Sequence, residues 1–294
     1  MIEKISQLAI ESLRQAYFIQ RGLFEDGTIT EYVSVGRGED KATRGDWESE
    51  EAVINYLTEE KFPGRVNTEE HGQQDIIENP EYLVLDDGID GSSEMVKNPN
   101  TRCGTIFTIA NKLAPRYKDF IFAGITEYLT ERIVYCVKNK GVFTIEHPGY
   151  NEQIIEIQPF AKKDFSEKTK VIVDCYSTDY EKGVTKGMED FVDFMNEHVV
   201  KHLECKVQLL GGISSASMCL DLVFGDVDAV FNMVAKGVFE PPAMYLFTRE
   251  LGGYVCDLSG NELGNKKWKP HSRLEGALFT CSNEISDELV RLIR

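Results

Sequence analysis

Acidic residues are crowded into three short stretches of this sequence. Asp87 and Asp90 lie in DDGIDGSS, which follows the apolar run YLVL, Glu69 and Glu70 close GRVNTEEHG, and Glu240 lies in VFEPPAM. A single acid in a loop usually forms a turn. Several acids at the ends of strands and helices can instead converge and bind a divalent cation, which prefers oxygen ligands.

The stretch from Asp87 to Asp90 is the densest of the three. It places two carboxylates and the intervening Ile89 carbonyl on what reads as one tight turn. Such oxygen-rich ligation suits Mg²⁺, a hard cation that prefers carboxylates, carbonyls and water. The sequence therefore predicts a magnesium site at this turn.

Gly91, Ser92 and Ser93 follow the predicted metal turn directly. They supply backbone amides and hydroxyl groups at what reads as the start of a helix. A helix start favours an anion such as phosphate. Metal ligands that lead into a phosphate cradle form a chemically coherent unit.

The elements that must position these groups are predicted to be a mixture of helices and strands. In the first half, residue spacing predicts helices over 1–22 and 46–60 and strands over 82–85, 104–111, 120–128 and 132–137. In the second half it predicts strands over 170–176 and 227–233, helices over 187–203, 214–225 and 242–253, and a final strand and helix capped by Ser282 or Asn283. This mixture predicts a layered α/β (α+β) fold rather than a bundle or a barrel.

The polar stretch 146–168 has no clear periodicity and is interpreted as the connection between two halves. The N-terminal α+β half, 1–160, carries most of the candidate metal and phosphate groups. The C-terminal α/β half, 161–294, contributes Glu240.

The overall charge argues against several kinds of partner. The 294 residues include 49 acidic and 32 basic ones, a formal net charge of −17. Such a surface repels nucleic acid and anionic lipid, so neither is an expected partner. An anionic substrate is compatible with this charge only if bound cations invert it locally.

No feature of the sequence points to a membrane or to secretion. No apolar run approaches the roughly 18–20 residues that span a bilayer, and the N-terminus lacks the apolar core of a signal peptide. The seven cysteines are scattered without a C-x-x-C motif, which favours reduced thiols over disulfides or a zinc ribbon. A cytoplasmic protein is expected.

Further motifs lie in a fixed order around the acidic stretches. They are TRGD at 43–46, TEE at 68–70, DGIDGS at 87–92, SSASMCLDLVFGDVDAVF at 214–231, FE at 239–240 and ELGG at 250–253. Together they resemble the superfamily of inositol monophosphatase and fructose-1,6-bisphosphatase, whose signature is D-P-[IL]-D-G-[ST]. The resemblance covers most of the chain and implies a layered αβαβα sandwich of the sugar phosphatase type. It also implies a metal-dependent phosphoric monoester hydrolase.

Details of the sequence resemble both branches of that superfamily. GSS followed by GTIFTIANK, and Glu240 followed by proline and methionine in EPPAM, are similar to the fructose-bisphosphatase branch, which we favour. The stretch GEDKATRGD is similar to the inositol branch through Asp40, Thr43, Asp46 and Glu50.

Four positions depart from the superfamily pattern, and one of them is Asn232, which stands near where the inositol branch carries a sugar-binding glutamate. Gly88 replaces a proline, which predicts a more flexible metal turn. Glu94 replaces an asparagine of the fructose branch and places another anion beside the predicted phosphate. Phe239 replaces a tryptophan, which implies a packing change.

The resemblance also implies roles for individual residues. Two or three Mg²⁺ ions, or Mn²⁺ in their place, would be held by the carboxylates of Glu70, Asp87, Asp90 and Glu240 and by the carbonyl of Ile89. The predicted catalytic residues are Ser92, which would orient the attacking water, and Asp46, which together with Asp40 or Glu69 would accept the proton of that water or hold an additional metal. The predicted phosphate cradle is formed by Gly91, Ser92 and Ser93. The predicted substrate contacts are Tyr176, Ser177, Asp179, Ser214, Ser215 and Lys236.

The resulting expectation is a Mg²⁺-dependent phosphomonoesterase acting on a small sugar or polyol phosphate, with fructose 1,6-bisphosphate (cleaved at the 1-phosphate) as the first candidate. Inositol monophosphatase and 3′(2′),5′-bisphosphate nucleotidase are alternatives within the superfamily. A relative that binds sugar phosphate without catalysis is a further alternative. A calcium-binding module is disfavoured because no D-x-[DN]-x-[DN]-G loop occurs. The resemblance implies a homo-oligomer, either a dimer or a tetramer.

Overall fold

The structure is a computed structural model that describes residues 2–33, 41–174, 197, 200–204, 206–211, 214–232, 238–270, 274 and 276–294. Its helices within these ranges are α1 Ile2–Glu25, α2 Arg44–Glu59, α3 Ser92–Lys97, α4 Lys201–Glu204, α5 Ser215–Val223, α6 Glu240–Glu250 and α7 Asn283–Ile293. Its strands are β1 Gly64–Thr68, β2 Gln73–Asp75, β3 Tyr82–Asp90, β4 Gly104–Ala110, β5 Phe120–Glu127, β6 Arg132–Val137, β7 Gly141–Glu146, β8 Gln153–Ile157, β9 Lys170–Val173, β10 Gln208–Gly211, β11 Ala229–Asn232, β12 Tyr254–Cys256 and β13 Ala277–Thr280.

The strands form two sheets. The larger sheet has the order β2-β1-β3-β4-β5-β6-β7-β8 and the smaller one the order β10-β9-β11-β13-β12. In the larger sheet β1 runs parallel to β3, while the other neighbours are antiparallel. The parallel pair brings the ends of β1 and β3 to the same edge of the sheet, next to the loop that contains Glu69 and Glu70.

The helices and the two sheets form five layers, and apolar cores pack each layer against the next. One core joins α1 and α2 to a face of the larger sheet through side chains such as Leu13 and Phe107. A second joins α5 and α6 to both sheets through Phe247 and Phe279, and a third places α4 and α7 on the far face of the smaller sheet, with Leu289 buried. The predicted αβαβα sandwich is confirmed.

Most predicted elements are present with similar bounds. The apolar face of the first helix is buried at Leu13 and Ala16, and the last helix is capped by Ser282, whose hydroxyl accepts from the Ile285 amide. The predicted helix over 187–203 and the end of the predicted strand over 170–176 lie largely outside the described residues. The division into halves near residue 160 remains a prediction.

One sequence-based interpretation was wrong, and one segment contains a strand that was not predicted. The predicted tight turn from Asp87 to Asp90 is the end of strand β3, because its backbone pairs with β4 at Asp87–Ile106 and again, after a register shift, at Asp90–Gly104. The predicted connection 146–168 contains β8, an edge strand whose residues are mostly exposed and therefore show no alternating apolar pattern.

In the part of the chain that the structure describes, no helix combines the length and the apolar character needed to cross a membrane.

Candidate active site

Both backbone polar groups of Gly88, near the end of β3, form hydrogen bonds with buried side chains. Its carbonyl accepts hydrogen bonds from Gln20 Nε2 (2.8 Å) and Thr105 Oγ1 (2.9 Å), and its amide donates to Glu50 Oε1 (3.4 Å). A Cβ atom at this position would lie 2.3 Å from the backbone oxygen of Asp46. Glycine is therefore required here by the close approach of α2.

Helix α2 presents Asp46 and Glu50 on one face, because residues four apart in a helix lie one above the other. Asp46 Oδ2 accepts from the Thr43 hydroxyl (2.6 Å) and the Thr43 amide (3.2 Å), which completes a capping box at the start of α2. Burial raises the pKa of Asp46 to about 6, and the charge of Glu70 acts in the same direction. The predicted proton acceptor thus also caps a helix.

The loop after β1 carries Glu69 and Glu70 and is tied to the same helix. The buried carboxylate of Glu50 accepts from the amides of Glu69, Glu70 and His71 at 3.0–3.2 Å. Burial raises the pKa of Glu50 to about 8, against the opposing effect of these hydrogen bonds.

The predicted site acids repel one another. Burial raises the pKa of Asp87 well above its ordinary value, and the charges of Glu69, Asp90 and Glu240 add to the shift. Partial burial raises the pKa of Glu69 as well, although its side chain remains exposed at the surface, and Asp46 is the largest charged contributor to the shift. Mutual effects of this kind require that the acids lie close together, and they link Asp46, Glu69, Glu70, Asp87, Asp90 and Glu240 in one cluster.

The chemistry of this cluster fits a divalent cation. All of its side chains end in hard carboxylate oxygens, and Asp87 Oδ1 is buried without accepting any hydrogen bond. Within the described ranges, no three acidic, histidine or cysteine side chains are already placed to bind one ion together.

Gly91 connects the end of β3, which carries the predicted metal ligands Asp87 and Asp90, to the start of α3. Its φ of 93° is left-handed, which favours glycine, and a Cβ atom there would lie 2.7 Å from that of Ser214. Ser92 and Ser93 form the first turn of α3, where backbone amides have no partner within the helix.

The start of α5 reaches the site from the second half. Its Ala216 amide donates to Asp90 Oδ2 at 2.7 Å. The Ser214 hydroxyl accepts from the Ser217 amide as the helix cap, and Ser215 is fully buried. Both serines therefore have structural positions beside Asp90, while substrate contact by either one remains a prediction.

Glu240 is the first residue of α6 and is followed by Pro241 and Pro242, which suit the first turn of a helix. Its charge acts on both Asp87 and Glu69, so the second half of the chain contributes an acid to the cluster.

The other predicted site residues, Asp40, Tyr176, Ser177, Asp179 and Lys236, lie outside the described residues.

Two buried acids beside the cluster were not assigned a role from the sequence. Glu50 was named only as part of the pattern shared with the inositol branch, and its amide contacts, which join segments about twenty residues apart, were not predicted. Asp86 is fully buried, and neither of its carboxylate oxygens accepts a hydrogen bond. Burial raises the pKa of Asp86 well above its ordinary value, and the charge of Glu50 adds to the shift.

No protein-family model matches the chain, and no curated protein matches it at a significant level. Solved structures match it over nearly its whole length. The extragenic suppressor protein suhB of Bartonella henselae superposes with a TM-score of 0.72 at 13% identity, covering 99% of this chain and 98% of that chain. A hypothetical protein of Pyrococcus horikoshii with similarities to inositol-1 monophosphatase gives 0.69 at 19% identity, covering 100% of both chains. An IMPase/NADP phosphatase complexed with Mg²⁺ and phosphate gives 0.67 at 14% identity, covering 99% of this chain and 95% of that chain.

The chain therefore shares the layered α/β fold of these solved structures. Its acid cluster combines residues from α2, the loop after β1, the end of β3 and the start of α6.

Proposed function

We propose that this chain is a Mg²⁺-dependent phosphomonoesterase that hydrolyses a phosphate ester of a small sugar or polyol. The observation that carries the proposal is the cluster of acids from both halves of the chain, whose mutual repulsion a divalent cation would relieve. The fold supports it, because a solved structure with the same fold is described as an IMPase/NADP phosphatase complexed with Mg²⁺ and phosphate.

The residues proposed to hold the ions are the carboxylates of Glu70, Asp87, Asp90 and Glu240, with the carbonyl of Ile89. When bound, such ions supply positive charge for the phosphoryl oxygens and for the leaving oxygen, and they lower the pKa of water. Two or three Mg²⁺ ions, or Mn²⁺ in their place, remain the proposed number and kind.

The remaining roles belong to the chain's own groups. The amides of Gly91, Ser92 and Ser93 would receive phosphate oxygens, and the Ser92 hydroxyl would orient the attacking water. Glu69 is proposed to take up the proton of that water, because its side chain reaches the surface and its charge acts on the buried Asp87. Asp46 is the second proposed acceptor, although its Oδ2 atom already accepts from Thr43.

Among substrates we propose fructose 1,6-bisphosphate first, on the stretches GSS…GTIF and EPPAM. Inositol monophosphate is the main alternative, favoured by the solved structures described as inositol monophosphatases. A 3′(2′),5′-bisphosphate nucleotide is a third candidate. We further propose a cytoplasmic homo-oligomer, either a dimer or a tetramer, that acts on such small molecules without nucleic acid or membrane partners.

The proposal is tested by assaying these substrates side by side with Mg²⁺, with excess EDTA, and with the variant Asp90→Asn. The asparagine keeps an oxygen that can accept from Ala216, so the fold should be retained, but it removes a metal carboxylate. We expect a loss of at least about a thousandfold in turnover, equivalent to about 4 kcal/mol.

The control for this assay is Asp26→Asn, which changes an exposed acid after α1 and should retain full activity. Hydrolysis that persists in EDTA or in the Asp90 variant would contradict the proposed site. Binding of sugar phosphate without any turnover by the wild-type chain would favour a non-catalytic relative.

A further inference from the structure

A single buried side chain, Glu50, holds four backbone amides at once. Its Oε1 atom accepts from the amides of Glu69 (3.0 Å), Glu70 (3.2 Å) and Gly88 (3.4 Å), and its Oε2 atom accepts from those of Glu70 (3.0 Å) and His71 (3.1 Å). The residue is 0% exposed, so no water competes for these bonds.

These amides belong to two different segments of the chain. Glu69 and Glu70 lie in the loop that follows β1, while Gly88 lies between Asp87 and Ile89 at the end of β3. The parallel ladder pairs Thr68 with the residue before Asp87 but ends there. Beyond that point Glu50 connects the two segments that carry proposed metal ligands.

The hydrogen bonds also show what Glu50 does not do. A carboxylate has about four acceptor positions, and the five amide contacts occupy both oxygens of Glu50. Little acceptor capacity is left for direct binding of an ion. Its position one turn after Asp46 on α2, whose start is fixed by the Thr43 cap, gives it a rigid base.

We propose that Glu50 is a positioning residue that aligns the Glu69–Glu70 loop with the end of β3 and thereby sets the affinity for divalent ions. It contacts the backbone of the ligand-bearing segments and touches neither the ion nor the substrate. This inference rests on the proposed function, because it assumes that the cluster binds Mg²⁺.

The test is Glu50→Gln in the full chain. The glutamine side chain has nearly the same size, but it has one acceptor oxygen and turns an NH₂ group toward amides that themselves donate. Mg²⁺ affinity is measured by calorimetry on the metal-free protein without substrate. Loss of a group that orients metal ligands typically weakens metal binding about 10- to 100-fold, and we expect a decrease in this range. In the activity assay the Mg²⁺ concentration for half-maximal rate should rise in parallel, while the KM for substrate at saturating Mg²⁺ should change little.

The matched control is Asp228→Asn. Asp228 is also buried and accepts from a backbone amide, that of Lys170 at 2.9 Å, as well as from Lys163 Nζ. Its loss should lower thermal stability without changing Mg²⁺ affinity. If Glu50→Gln fails to fold, Glu50→Asp keeps both acceptor oxygens on a shorter side chain and should show a smaller loss of affinity.

Wild-type Mg²⁺ affinity in a folded Glu50 variant would overturn the inference and leave Glu50 with a role in stability alone. A wild-type chain that binds Mg²⁺ but hydrolyses none of the substrates would contradict the proposed function, while the calorimetric comparison would still decide the role of Glu50. Absence of Mg²⁺ binding by the wild-type chain would overturn both.

Discussion

Gly88 illustrates how one residue can reflect a change in the packing around it. The superfamily signature has proline here, and the substitution alone predicted a flexible turn. In the structure the Gly88 carbonyl accepts from two buried side chains, and the backbone of Asp46 lies where a side chain would begin. The glycine therefore belongs to a close contact between α2 and β3 that the sequence did not reveal.

A substitution Gly88→Ala should disturb this contact. The added Cβ would meet backbone atoms, which cannot move aside as a flexible side chain can, so we expect a loss of about 1–3 kcal/mol in the free energy of unfolding. Urea denaturation measures this change. Gly22→Ala in α1 is the control, because nothing lies within 4 Å of the added atom and alanine favours helix by up to about 1 kcal/mol. Equal stability of the two variants would contradict the close contact.

Individual site residues were predictable from the sequence where they form a motif. Asp87, Asp90, Glu69 and Glu240 could be predicted as site candidates because carboxylates are recognisable by type and lie in motifs, and their metal-binding and catalytic roles remain predictions. The role of Glu50 was not predictable, since it depends on backbone amides that carry no signal in residue identity.

Among the elements, α1 and α2 were predictable because each buries an apolar face at helical spacing. Strands β4, β5 and β6 were predictable because they are short runs with β-branched and aromatic residues, and they are buried along nearly their whole length. The end of β3 was not, because aspartate and glycine are poor strand formers and only pairing with β4 keeps them extended. Strand β8 was missed for the opposite reason, since an exposed edge strand needs no apolar alternation.

The capping box of α2 gives a test at the level of the element. Thr43→Ala removes the hydroxyl that accepts from the Asp46 amide and donates to its carboxylate. Loss of such a cap costs about 0.5–2 kcal/mol, which thermal or urea unfolding would detect. Thr43→Ser retains the hydroxyl and should retain most of the stability. If the serine and alanine variants lose stability equally, packing of the threonine methyl group and not the cap stabilises this end of α2.

At the scale of the whole molecule, buried acids make stability depend on pH. The pKa of Asp46 is about 6 and that of Glu50 about 8, both above the ordinary values of 3.8 and 4.5. The folded chain therefore binds protons more tightly than the unfolded chain between about pH 4 and pH 8. The contribution of these groups to stability is complete below about pH 4 and is lost as the pH rises through their folded pKa values.

The melting temperature of the metal-free protein should accordingly fall between about pH 5.5 and pH 8.5. Mg²⁺ should raise the melting temperature more at the higher pH, because ionised carboxylates bind a cation more strongly. Calorimetric scans in EDTA and in Mg²⁺ measure both effects, with K⁺ at equal ionic strength as the control for screening. A melting temperature that rises with pH in EDTA would contradict the raised pKa values.

The hydrogen bond from Ala216 to Asp90 ties the chemistry of the acids to the packing of the layers. Helix α5 lies between the two sheets, and its first turn donates to a carboxylate at the end of β3. A substitution deep in that middle layer, remote from any acid, can slide α5 and alter the orientation of Asp90. Mutations in the central core are therefore restricted in two ways. They must keep the core filled, and they must preserve the position and orientation of the Asp90 carboxylate.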